Sequence, residues 1–217
     1  MKKFKLTSEF IVDISGVKLF RIKALIEFGN VKAGDLGGYI EKEENLSHMG
    51  NAWVSGNAQV SGDARVSGNA RVSGDAQVFG DARVSGNARV SGNARVSGDA
   101  RVFGNAQVSG DARVFGNARV SGDARVFGNA WVFGNAQVFG DARVSGDKDY
   151  AYAHGFGSCN RTTTFFRLKD GDVGVRCGCF YGTLAQFRDN VCETHGETKK
   201  AQEYLMLADL MDFRFKN

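Results

Sequence analysis

Gly50-Asn51-Ala52-Trp53-Val54-Ser55 opens a register that runs without a slip to Gly140-Asp141-Ala142-Arg143-Val144-Ser145. The pattern Gly-(Asn/Asp)-Ala-X-Val-(Ser/Phe) is repeated sixteen times across that stretch. Self-similarity at a fixed short period means stacked units, and a hexapeptide period means a parallel β-helix. Side chains alternate along a strand, so Ala and Val project to one side while Asn/Asp, X and Ser/Phe project to the other. Ala and Val are small enough for a narrow interior. Each buried Val contributes roughly 1.5–3 kcal/mol, so cohesion has to come from stacking one unit on the next. Gly takes the corner, where φ is positive at little cost, and Asn or Asp tolerates the neighbouring position. The chain contains no Pro, which would delete ladder hydrogen bonds.

The run Val60-Ser61-Gly62-Asp63-Ala64-Arg65 is similar to the hexapeptide-repeat pattern (aliphatic, x, Gly, x, small, x) of left-handed β-helix proteins. That resemblance covers about half of the chain. It implies a left-handed triangular prism with three hexads per coil, hence five to six coils, and a homotrimer. Strand spacing makes such a prism roughly 25 Å tall. The pattern specifies fold far better than function, because acyltransferases, sugar-binding scaffolds and non-enzymes share it.

With three hexads per coil, every third hexad shares a face. Trp53, Arg71, Arg89, Gln107, Arg125 and Arg143 fall on one face; Gln59, Gln77, Arg95, Arg113 and Trp131 on the next; Arg65, Arg83, Arg101, Arg119 and Gln137 on the third. The repeat holds 10 Arg against 7 Asp, a balance that argues against a nucleic-acid footprint. Phe79, Phe103, Phe115, Phe127, Phe133 and Phe139 replace the outward Ser. Three of them gather with Trp131 in the last coils, the place for a docked domain or subunit.

The chain divides into a β-hairpin and cap (1–49), the prism (50–147) and an α+β region (148–217). Its 217 residues carry a net charge of +4, four Cys and no apolar run of membrane length, which reads as a cytoplasmic protein with reduced thiols. Phe10, Val12 and Ile14, then Ser15-Gly16, then Val17 and Leu19 predict a hairpin. Asp35–Ile40 and Asn45–Ser47 predict an irregular first coil closing the prism.

In the last region, Thr162–Leu168 and Val173–Cys177 predict two strands around a two-residue Asp170-Gly171 turn. That turn sets Phe166 opposite Val175, Phe165 opposite Arg176 and Thr164 opposite Cys177. Leu168, Phe166, Thr164, Val173, Val175 and Cys177 then form a core face, leaving Thr163, Phe165, Arg167 and Arg176 on the other. Thr183-Leu184-Ala185-Gln186 reads as a capping box opening a helix that Gly196 ends. A second helix runs from about Thr198 to Asp212, with Leu207 and Leu210 widening its apolar stripe toward burial or a subunit contact.

The Gly155–Thr164 segment offers glycine amides, hydroxyls and Arg161, a mixture suited to a phosphate. Ser158, Asn160, Arg161, Thr163, Phe165, Arg167 and Arg176 together make a candidate site for a flat, anionic, nucleotide-like ligand, with Phe stacking and Arg pairing. Residues 155–215 also resemble the C-terminal domain of phage and prophage hexapeptide proteins, a setting that implies sequestration of a host nucleotide signal. Cys177, Cys179, Cys192 and His195 supply zinc-type donors at an atypical spacing. No His lies in the repeat, where hexapeptide acyltransferases carry their general base; His154 is the acyltransferase alternative. The expectation is a non-catalytic oligomeric scaffold with an anion-binding end domain and no cofactor. An acyltransferase, or a structural or protein-interaction module, is the alternative.

Overall fold

A computed structural model describes residues 2–157 and 161–216. Its body is a three-sided β-solenoid of about six turns built from sixteen two-residue strands, β4 (Trp53–Val54) to β19 (Arg143–Val144). They follow three longer strands, β1 (Phe4–Val12), β2 (Lys18–Ala24) and β3 (Leu36–Ile40). Each of β4 to β16 pairs in parallel with the strand eighteen residues on, Val on Val: Val72 faces Val90 and Val90 faces Val108. The three resulting sheets match the three faces expected from the repeat. Every Ala and Val of the repeat is fully buried. The hexad glycines all have φ between 61° and 71°, the left-handed region that only Gly enters cheaply.

Stacking also orders the corners. Asn69 donates to Asn87, Asn87 to Asn105 and Asn105 to Asp123, at 3.0–3.1 Å. These amide ladders repeat at the strand spacing and add polar cohesion along the shaft.

The first turn is irregular, as expected. β3 pairs in parallel with β5 (Gln59–Val60), and Leu46 bridges to Val66. β1 and β2 extend that sheet antiparallel. The hairpin is longer than the sequence suggests, beginning at Phe4, and its apolar tip does not turn inward. Phe10, Val12 and Ile14 are exposed: the tip stands across an open hollow from Gln59, Gln77 and Phe79 of the solenoid and does not close on them.

Both open ends are closed by side chains. At the first turn, Lys3 Nζ donates to the carbonyls of Ala52 (2.8 Å) and Gly50 (3.3 Å), and Asn45 Nδ2 to those of Gly62 (3.0 Å) and Ala64 (2.9 Å). At the last turn the amides are taken by acceptors: Trp131 N by Asp147 Oδ1, Gln137 N by Thr164 Oγ1 and Ser145 N by Asp149 Oδ2. Unpaired edge groups invite another chain, so these contacts end the solenoid at both sides.

A four-stranded antiparallel sheet closes the C-terminal end: β20 (Tyr150–Phe156), β21 (Arg161–Arg167), β22 (Val173–Cys177) and β23 (Phe180–Thr183). Two helices follow, α1 (Leu184–His195) and α2 (Lys199–Phe215). The capping box at Thr183 and the Gly196 cap stand where the sequence places them, while α2 runs a turn further than Asp212.

The β21–β22 register differs from the sequence expectation by one residue. Thr163 faces Cys177, Thr164 faces Arg176, Phe165 faces Val175 and Phe166 faces Gly174. The loop is closed by the Leu168 amide on the Asp172 carbonyl (2.8 Å), with Gly171 at φ 95°. This is a three-residue hairpin with Gly in the left-handed position, not a two-residue turn. A one-residue slip exchanges the partners on each face. Phe165, Val175 and Cys177 pack toward the helices, while Phe166 and Leu168 pack toward the solenoid. Both faces of the sheet are therefore covered, and neither is the open ligand face expected from the sequence.

Candidate functional site

The sheet is bolted to the last turns by aromatic rings. Phe133 meets Tyr150 and Tyr152 edge-on at 6.4 and 5.7 Å and stacks on Phe115 at 5.4 Å, and Phe139 meets Tyr181 at 5.0 Å. Edge-to-face pairs of this kind add about 0.5–1.5 kcal/mol beyond burial. Burial also pushes the Tyr150 hydroxyl's pKa up. Phe133 and Phe139 thus serve as a docking surface for this chain's own end domain, with Phe127, Trp131 and part of Phe133 left exposed.

The residues expected to bind a ligand are dispersed. Ser158 and Asn160 lie outside the described residues. Phe165 is fully buried edge-on against Phe187 (6.2 Å), so it offers no ring face. Thr163 is buried, its hydroxyl 3.2 Å from the Cys177 sulfur. Arg167 donates to the Phe215 carbonyl (2.7 Å) and the Gly171 carbonyl (3.0 Å), which fastens the end of α2 to the hairpin turn. Arg176 stacks over Phe139 at 5.2 Å on the opposite side of the sheet. The two guanidiniums expected to clamp one anion are structural ties on different faces.

Arg161 is the exception. It is exposed at the start of β21, and its guanidinium makes no hydrogen bond or ion pair among the described residues. A Cβ on Gly178 would stand 2.2 Å from Arg161 Nη1, so the bare glycine is what lets the guanidinium lie over the β22–β23 turn. Beneath it is a hollow of about 190 Å³ lined by Arg161, Cys177, Cys179, Asn190, Thr194 and His195, with a floor of Phe180, Phe187, Val191 and Tyr204. The His195 ring stacks on Tyr204 at 5.9 Å. Asn190 and Thr194 leave their polar groups without hydrogen-bond partners among the described residues. Sequence reasoning missed these two. Their i, i+4 spacing on α1, one residue before Val191 and His195, is the signal that places them on one edge of the helix.

A larger hollow of about 320 Å³ lies by Arg167, Asp172, Asp212 and Lys216. Its cations are already engaged: Lys216 pairs with Asp212 at 2.6 Å and Arg167 holds carbonyls. Among the described residues no group of three or more His, Cys, Asp and Glu gathers as a metal site. The zinc-type set Cys177, Cys179, Cys192 and His195 does not assemble: Cys192 is exposed on α1 and does not line the hollow that holds the other three. His154 is exposed, its Nδ1 3.0 Å from the Thr162 hydroxyl, with no carboxylate to orient it. No described helix is long and apolar enough to cross a membrane.

Eight overlapping segments of the repeat, 58–74, 64–80, 76–92, 82–96, 88–104, 94–110, 106–121 and 118–134, match the family model described as the YdcK beta solenoid repeat. The shaft is thus similar to that family over the middle of the chain, a likeness of architecture that leaves both ends unmatched. No curated protein matches the chain.

Proposed function

We propose that this protein is a non-catalytic β-solenoid scaffold whose C-terminal unit binds a small anion-bearing molecule at the Arg161 hollow. One observation carries the reading: Arg161, Asn190 and Thr194 line one cavity, and their side chains have no hydrogen-bond partner among the described residues. All three side chains are exposed, so an anion's oxygens replace water on them and gain a charge-assisted hydrogen bond from the guanidinium. A hollow of about 190 Å³ is smaller than the roughly 300–1,000 Å³ of a drug-sized site. It therefore takes a phosphate or carboxylate group and leaves the rest of a nucleotide-like molecule outside. The left-handed sense of the coil, a three-copy assembly, a cytoplasmic location and sequestration of a host nucleotide signal in a phage setting belong to the same reading, on the strength of the resemblance.

The shaft supports a scaffold role because its sixteen hexads contain no His, Cys, Glu or Lys, so it presents no general base suited to neutral pH. An acyltransferase working through His154 is the alternative. Thermal-shift measurements against phosphate, nucleoside monophosphates, cyclic dinucleotides and acetyl-CoA distinguish the two. The scaffold reading expects stabilisation by phosphate-bearing ligands, lost in Arg161→Ala and kept in His154→Ala. Turnover of acetyl-CoA that disappears in His154→Ala contradicts it.

A further inference from the structure

The outer side of α2 carries an apolar stripe that nothing in this chain covers. Met206, Leu210 and Phe213 are 71%, 56% and 72% exposed. At 3.6 residues per turn, positions i, i+4 and i+7 lie along one line. The inner side is already occupied by Ala201, Tyr204, Ala208, Met211 and Phe215, so the helix is apolar on two sides. Three large exposed side chains in a row mark a contact surface.

The charges beside the stripe say what covers it. Glu203 and Arg214 are eleven residues apart on α2, about three turns, which returns them to the same flank of the stripe. Neither has an ion-pair partner among the described residues: Glu203 accepts the Gly157 amide at 2.8 Å, and Arg214 donates to the Asp147 carbonyl at 3.1 Å. Their midpoint falls between Ala208 and Asp209, about 2 Å along the helix axis from Leu210, the centre of the stripe. A surface with opposite charges on either side of an apolar centre complements itself under a two-fold axis, where residue i meets j and j meets i.

We propose that α2 packs antiparallel against α2 of a second copy of this chain. Met206 meets Phe213 of the second copy, Leu210 meets Leu210, and Glu203 pairs with Arg214 twice over. On the other flank Gln202 faces Lys216. Asp209 near the axis is held by Arg188 of its own chain at 2.5 Å, which limits repulsion there. The contact extends beyond the helix. Arg214 holds the Asp147 carbonyl, and the Asp147 carboxylate holds the Trp131 amide, so exposed Trp131 lies beside the same surface.

Light scattering behind size exclusion on the full chain tests this. The expected mass is an even multiple of the chain, two copies or, if a threefold contact is also present, six. Phe213→Glu and Leu210→Glu each remove the two-fold contact and halve that mass, with the circular-dichroism melt showing a folded protein. Glu203→Arg or Arg214→Glu weakens association by at least about tenfold, and the double exchange recovers most of it. A wild-type chain that is monomeric or trimeric at every concentration overturns the proposal. So does a folded Phe213→Glu or Leu210→Glu of unchanged mass, or a double exchange no tighter than the singles.

Discussion

Lys3 enters the folded state almost fully buried (1% exposed), with carbonyls rather than a carboxylate as partners and the Phe28 ring 4.7 Å from its ammonium. Burial disfavours the charged form and brings its pKa from 10.5 down to about 8. Below pH 8 the lysine is charged in both folded and unfolded chains, and the folded state bears the desolvation cost. Between about pH 8 and 10.5 the folded chain has released a proton that the unfolded chain still holds, so stability rises with pH across that window. Urea unfolding at steps from pH 7.5 to 10.5 is expected to show that rise, and Lys3→Met to lack the part of it due to this group; identical slopes in both proteins contradict the assignment. Interior residues of the shaft behave differently, because no neighbour is free to move into a vacated space. Val90, fully buried between Val72 and Val108, loses two methyl groups in Val90→Ala. At about 0.8 kcal/mol per buried carbon plus a cavity term, the loss is about 2 kcal/mol, readable as a lower urea midpoint.

At the scale of elements, what ends the solenoid matters as much as what fills it. The Thr164 hydroxyl accepts the Gln137 amide at 2.9 Å, joining the end sheet to the last turn. Thr164→Val keeps the shape and strands that amide, so the expected loss is about 1–2 kcal/mol, together with faster hydrogen exchange at Gln137. Unchanged exchange there removes this contact from the account. The same strand shows where sequence reasoning stops. The hexads were legible outright, because a period of six with Ala and Val always inward admits one register. The helix caps were legible too, since Thr183, Gln186 and Gly196 act locally. The hairpin register was not: Asp170-Gly171 fits a two-residue turn as well as a three-residue one, and only packing chooses. Because β21 is apolar on both sides, with Phe165 and Phe166 each fully buried in a different core, no alternation marked the face to expose. The ligand set drawn from that register scattered with it. Arg161 stands beside a cavity because it is the first residue of β21, beyond the last β21–β22 pair at Thr163 and Cys177, and lies over the β22–β23 turn at Gly178.

The whole molecule is a stiff shaft with unlike ends. The first turn is plugged by a lysine and an asparagine under a projecting hairpin, and the last is sealed by a sheet and two helices. The repeat supplies length, rigidity and a surface of balanced charge, while the chemically varied residues (the cysteines, two of the three histidines and Arg161, whose guanidinium has no partner among the described residues) are gathered in the end domain. Placing recognition there and mechanical support in the shaft is the central claim. Isothermal titration of the full chain with inorganic phosphate and a nucleoside monophosphate measures it most directly. The account predicts one site per chain in the wild type and none in Arg161→Ala at an unchanged melting temperature. Equal binding by the two proteins would contradict it.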